Sequence, residues 1–133
     1  MLTSLLKSGG RRAAEAFFPG YLVRRHHARF GAEEIEMSIL DLVVPHGTEA
    51  IDVGANWGTY AAILSRRCRS VHCIEPNPRL ARLLERTVPA NVSVTQCAAS
   101  SRPGIATLHI PVDGHRALDG LASLRSDVAE GVE

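Results

Sequence analysis

At 133 residues the chain has room for one domain of ordinary size. Hydrophobic residues make up 45% and charged residues 22%, which excludes the disordered and fibrous classes and fits a globular protein. A net charge of +1 calls for no polyanionic partner, so nucleic acid is not expected. Yet Lys7, Arg11, Arg12, Arg24, Arg25 and Arg29 against Glu15 concentrate +5 in the first 29 residues and leave −4 to the rest.

No apolar run approaches the roughly 20 residues of a membrane span. Gly9, Gly10 and charged residues interrupt the start before a signal-peptide core of about 7–15 residues develops. Cys68, Cys73 and Cys97 are odd in number and lack metal spacing, so a reduced, cytoplasmic setting is expected and no metal site. Cys73 and Cys97 fall near strand ends, where a thiol serves as a small apolar filler.

Residues 1–18 read as a helix carrying Leu2, Leu5, Leu6, Ala13, Ala14, Phe17 and Phe18, broken at Gly9-Gly10, with Pro19-Gly20 as a turn. Arg24, Arg25, His26, His27 and Arg29 read as a solvated helix face, in a chain with one lysine and fourteen arginines. Residues 1–31 are therefore set apart as a basic helical extension, and 32–133 as the main domain. Ala32 to Val44 forms a second helix, with Glu33, Glu34 and Glu36 at its positive end and Ile35, Ile39, Leu42 and Val43 on one apolar face. Pro45-His-Gly47 stops it, leaving His46 exposed.

A β-α-β-α-β alternation follows. Ala50, Ile51 and Val53 make a short buried-type strand, then a helix runs from Gly58 to about Arg69 with Tyr60, Ile63, Leu64 and Cys68 inward. Strand two is Ser70–Glu75. Asn77-Pro78 reads as N-cap and first helical position, with Leu80, Leu83, Leu84 and Val88 as the inward stripe. Asn91 to Cys97 is strand three; its Asn91-Val-Ser93 glycosylation match carries no weight in a cytoplasmic strand. The alternation predicts an α/β fold with a parallel sheet and right-handed crossovers. Ile105 to Ile110 reads as a further edge strand or hairpin, 111–120 as a loop, and the remainder as weakly helical.

The chemistry centres on residues 49–59. Gly54 opens a tight turn, Gly58 lets a helix start close to the strand, and such a turn aims unpaired backbone N–H groups at a ligand. Twenty-one residues after Gly54 stands Glu75, the spacing at which doubly wound folds place a carboxylate for ribose hydroxyls. A P-loop would need a lysine after Gly58, and none is there. The dinucleotide fingerprint wants glycine where Asn56 stands, so a side chain obstructs a pyrophosphate. Asp52, at the strand's end, would repel phosphate but attract a sulfonium or amino group. S-adenosylmethionine carries both cations and is the expected cofactor.

The segment from Pro45 to about Leu124 resembles the FkbM family of S-adenosylmethionine-dependent methyltransferases. The resemblance rests on Pro45-x-Gly47, Ile51-Asp-Val-Gly-Ala-Asn-Trp-Gly58, Glu75-Pro-Asn-Pro78, Asn91-Val and Ala122-Ser-Leu124. It implies a class I methyltransferase (Rossmann-like) three-layer fold, with Gly54, Asn56 and Gly58 lining the methionine end, Glu75 on the ribose and the loop from Ala98 beside the adenine. It also implies O-methylation of a small-molecule or glycoside hydroxyl. Two departures stand out. Ser101 occupies a position the family tends to make acidic, and further strands with a Lys-Ile-Asp-x-Glu-Gly-type segment do not follow. The sheet is thus expected to be incomplete, lacking much of the substrate half.

His109, Asp113, His115 and Asp127 are equal candidates for the general base, and none is singled out. Two other readings stay open: a non-catalytic cofactor-binding module or remnant, and an NAD-dependent oxidoreductase. A strand order 3-2-1 with nothing beyond strand one would leave a buried-type strand at an edge, inviting self-association.

Overall fold

A computed structural model describes residues 10–30, 35–114 and 116–124. Elements follow in the order α1 (Gly10–Phe17), α2 (Pro19–Phe30), α3 (Ile35–Val43), β1 (Glu49–Val53), α4 (Thr59–Leu64), β2 (Ser70–Ile74), α5 (Pro78–Glu85), β3 (Val92–Thr95), β4 (Val112–Asp113), β5 (Arg116–Ala117) and a 3-10 turn, Asp119–Leu121. The first three strands form a parallel sheet in the order β1-β2-β3, with Ala50 opposite Val71 and Val71 opposite Val92. Mixed α/β architecture with a small open sheet is what the alternation predicts.

The core lies between one sheet face and α4 and α5. Ala61 and Leu64 from α4, Val71, Cys73 and Val92 from the strands, and Leu84 from α5 are buried in one cluster, with Ala50 and Val94 packed against it. Helix α5 forms where Asn77 caps it: the side-chain oxygen accepts from the Arg79 amide at 3.0 Å, and Pro78 takes the first turn, where no N–H is needed. Leu80, Ala81, Leu83 and Leu84 then fall on the buried side.

The opposite face of the sheet stays open. Glu49, Ile51 and Val53 point there, and Ile51 and Val53 are 68% and 60% exposed. Beside them His72 bonds Ser93 Oγ at 2.8 Å and Thr95 Oγ1 at 3.2 Å, a polar ladder across β2 and β3. The third layer expected of a doubly wound sheet has no counterpart among the described residues. All-parallel sheets are ordinarily covered on both faces, so the bare face of this three-stranded sheet departs from that rule.

Several local expectations are corrected. Pro19-Gly20 is no turn: Pro19 begins α2, as proline can at a first helical position. Helix α4 ends at Leu64 rather than Arg69, and Arg67 Nε instead donates to the Val44 carbonyl at 2.9 Å. The apolar face of α3 is not inward: Ile39, Leu42 and Val43 are all exposed, because no described element packs over them. Residues 105–110 form no strand beyond a bridge between His109 and Ser123, and Ile105 is fully exposed. Without a paired edge or a covered face, the alternation there has nothing to hold it extended. Cys97 is exposed, whereas Cys68 and Cys73 are buried fillers. The expected helix over residues 1–9, and Glu33, Glu34, His115 and Asp127, lie outside the described residues.

The helical extension rests on the body. Val23 of α2 is buried with Leu80, Leu83 and the Trp57 ring. No helix among the described residues is long and apolar enough to cross a membrane.

Candidate cofactor site

The C-terminal ends of β1 and β2 lie side by side, since Val53 pairs with Ile74. Each strand therefore delivers its following loop to the same place: 54–58 from β1 and 75–77 from β2. The first loop turns back on itself through three left-handed residues, Gly54 (φ 77°), Asn56 (φ 51°) and Gly58 (φ 72°). Asparagine is among the few side-chain-bearing residues that adopt such a φ readily.

Glu75 sits where the two loops meet. Its Oε2 accepts from the Asn56 amide at 2.6 Å and its Oε1 from the Asn77 amide at 2.8 Å. The residue is only 4% exposed. One carboxylate thus joins the glycine-rich turn to the cap of α5, and each oxygen retains acceptor capacity beyond the bond it makes.

Four of the turn's five amides face inward, contrary to the expectation of free N–H groups. Gly54 and Ala55 both donate to the Ile74 carbonyl, Asn56 to Glu75, and Gly58 to the Ala55 carbonyl at 2.7 Å. A diphosphate needs such amides pointing at it. What the turn offers instead is acceptors. Asp52 Oδ2 and Asn56 Oδ1 are buried with no hydrogen-bond partner among the described residues. Burial pushes the Asp52 carboxyl above its usual range; the Ala61 amide pulls it down, and the charge of Glu75 adds to the upward push.

The glycines divide their tasks. A side chain at Gly58 would put its Cβ 2.5 Å from Leu84 Cδ2, so this position lets the start of α4 pack closely against α5. Beyond Gly54 there is open space. Ala98 lies apart from this cluster, after β3, where it lines an open groove of about 900 Å³ together with Pro76, Gln96, Cys97 and Arg102. The groove begins one residue past Glu75 and so continues the site along the strand ends.

Further side chains meet here that the sequence did not link to the site. Asn77 Nδ2 donates to Asp119 Oδ1 at 3.1 Å, and Arg79 pairs with Asp119 Oδ2 and, at 2.6 Å, with Glu15 Oε1. The Arg79 guanidinium carbon lies 5.3 Å from the Trp57 ring centroid, while the His26 ring stacks on that indole at 4.5 Å and 10°. His27 Nε2 donates to the Trp57 carbonyl at 2.8 Å. Only the Asp119-Gly120 pair, a turn signal, hints at any of this in the sequence.

His109 and Asp113 are exposed, and neither joins the cluster. Among the described residues no group of His, Cys, Asp or Glu is placed to hold a metal ion. Compared with known proteins, the chain matches no family model, no curated protein and no solved structure.

Proposed function

We propose that the chain binds S-adenosylmethionine across the ends of β1 and β2 and serves transfer of its methyl group to a hydroxyl of a small molecule or glycoside. The observation that carries this reading is the 2.6 Å contact between Glu75 and the Asn56 amide, which puts a carboxylate at the mouth of the glycine-rich turn. The residues present fit the cofactor. Asp52 Oδ2 and Asn56 Oδ1 are acceptors in want of donors, as an ammonium group would supply. Glu75 would take the ribose hydroxyls on its remaining lone pairs, and Pro76 and Ala98 would bound the adenine. An NAD-type diphosphate would meet two carboxylates and a turn in which the amides of Gly54, Ala55, Asn56 and Gly58 already donate within the protein.

When bound, the cofactor supplies an electrophilic methyl. The chain's residues fix its orientation, so that an acceptor oxygen can approach in line at roughly 3–3.5 Å. A hydroxyl acceptor also needs a base. Of the four candidates, His109 and Asp113 stand apart from the cluster and His115 and Asp127 lie outside the described residues; the second reading is a domain that binds cofactor without turnover.

Calorimetric titration with S-adenosylmethionine, S-adenosylhomocysteine and NAD tests the proposal. Asp52→Asn removes the charge at nearly constant shape and is expected to weaken S-adenosylmethionine binding about tenfold, the range of one charge-assisted hydrogen bond. Tighter binding of NAD than of S-adenosylmethionine would overturn the reading. Binding with no methyl transfer to any hydroxyl acceptor would select the non-catalytic one.

A further inference from the structure

We propose that Asp119 is a latch: the 3-10 turn Asp119–Leu121 closes over the mouth of the site, and a ligand reaches Glu75 only when Asp119 lets go. The ligand half of this inference rests on the function proposed above; the latch itself is read from the protein alone.

Access is the first consideration. Glu75 is 4% exposed and Asn77 2%, so a ligand that is to touch the carboxylate needs room the closed form lacks. The turn reaches into that region: a Cβ on Gly120 would lie 3.9 Å from Asn56 Nδ2. Asp119, its side chain 4% exposed, spends one oxygen on Asn77 and the other on Arg79. Both partners flank the site, Asn77 as the residue whose amide holds Glu75 and Arg79 as the cation over Trp57. Arg79 in turn is tied to Glu15 of α1. Asp119 therefore joins the turn to the mouth of the site and to the helical extension at once.

The second consideration is how firmly the turn is otherwise held. Among the described residues, every buried side chain of the two core clusters precedes residue 95. The turn follows the two-residue strands β4 and β5, and Val112 and Leu121 are exposed. Its backbone bonds run within its own segment: Leu118 to Pro111, and His109 with Ser123 in both directions. A segment with little apolar burial opens at low cost. Polar contacts at Asp119, rather than core packing, hold it to the body.

Trp57 is the chain's single tryptophan and lies under Arg79, the partner of Asp119, so its fluorescence reports on that contact. Asp119→Ala is expected to raise acrylamide quenching of Trp57 about twofold or more in the ligand-free protein. It is also expected to tighten S-adenosylmethionine binding about threefold or more, since a ligand restricted to an open minority state binds in proportion to that state's population. Asp119→Asn, nearly isosteric, should shift both readouts in the same direction by less, and far-ultraviolet circular dichroism shows whether each variant keeps its fold. Unchanged quenching in folded Asp119→Ala would make Asp119 a static brace and end the proposal. Increased quenching with unchanged or weaker binding would also overturn it, because the opened turn would then not obstruct the site. If neither wild type nor variant binds S-adenosylmethionine, the cofactor reading fails by itself, and quenching still decides whether the turn is latched.

Discussion

At the scale of single residues, the turn is a set of conformational demands met by particular side chains. Gly54 and Gly58 share a positive φ but differ in surroundings. Gly54→Ala meets open space and is expected to cost only the left-handed strain, about 1–2 kcal/mol. Gly58→Ala adds a clash with Leu84, itself 1% exposed and unable to yield, for a total of about 2–5 kcal/mol. Urea unfolding of the two variants checks the ordering, and equal losses would remove the packing role of Gly58. Asp52 has the opposite character, being unfavourable to the fold. Its carboxyl is raised in the folded state from the ordinary 3.8, so the unfolded chain ionises first. Stability is therefore fully present below that ordinary value and declines as pH rises through the raised one. Asp52→Asn is expected to match wild type in acid and exceed it near neutrality, as thermal melts across that window would show. A residue that costs stability while offering a bare acceptor at a strand end is a functional candidate on physical grounds. Cys73, by contrast, is inert: burial, then the Asp52 charge, raises its thiol to about 11. Alkylation near neutral pH is expected at exposed Cys97 before Cys68 or Cys73.

At the scale of elements, what the sequence made legible was local and what it hid was the partner surface. Helix α5 could be read closely because its signals are internal: Asn77 to cap, Pro78 to start, leucines at helical spacing. The three parallel strands and their order were likewise legible, since short crossovers leave few topologies. The apolar stripe of α3 was legible too, but not its exposure, because periodicity identifies a face without saying what lies opposite. The same holds for β1. Ala50, Ile51 and Val53 read as a buried-type strand, and the structure corrects this by leaving Ile51 and Val53 bare. An apolar strand with an unpaired edge and an uncovered face is a site for association between copies. Ile51→Lys is expected to suppress concentration-dependent light scattering without lowering the melting temperature, since Ile51 is 68% exposed. Unaltered scattering would place association on another surface, with α3 the next to test.

At the scale of the whole molecule, the site was half legible. Glu75 and the turn could be paired from spacing because both belong to one β-α-β unit. Asp119 and Glu15 could not, because they come from opposite ends of the chain and meet at Arg79. That meeting makes the extension, the turn and the body thermodynamically interdependent. Arg79→Ala would take from Asp119 and Glu15, both largely buried, the guanidinium that each pairs with, an expected cost of about 1–3 kcal/mol. Removing Asp119 as well relieves part of that penalty, so Arg79→Ala with Asp119→Ala is expected to destabilise by clearly less than the sum of the single changes. If the extension folds with the body, helix content and Trp57 fluorescence will report one coincident unfolding transition in wild type. In Arg79→Ala the fluorescence transition, which sees His26 and Arg79 packed on the indole, should move to lower denaturant ahead of the helical signal. Strict additivity of the two substitutions, with both signals still coincident, would instead make Arg79 a surface cation whose contacts contribute little, and would return α1 and α2 to an independent appendage.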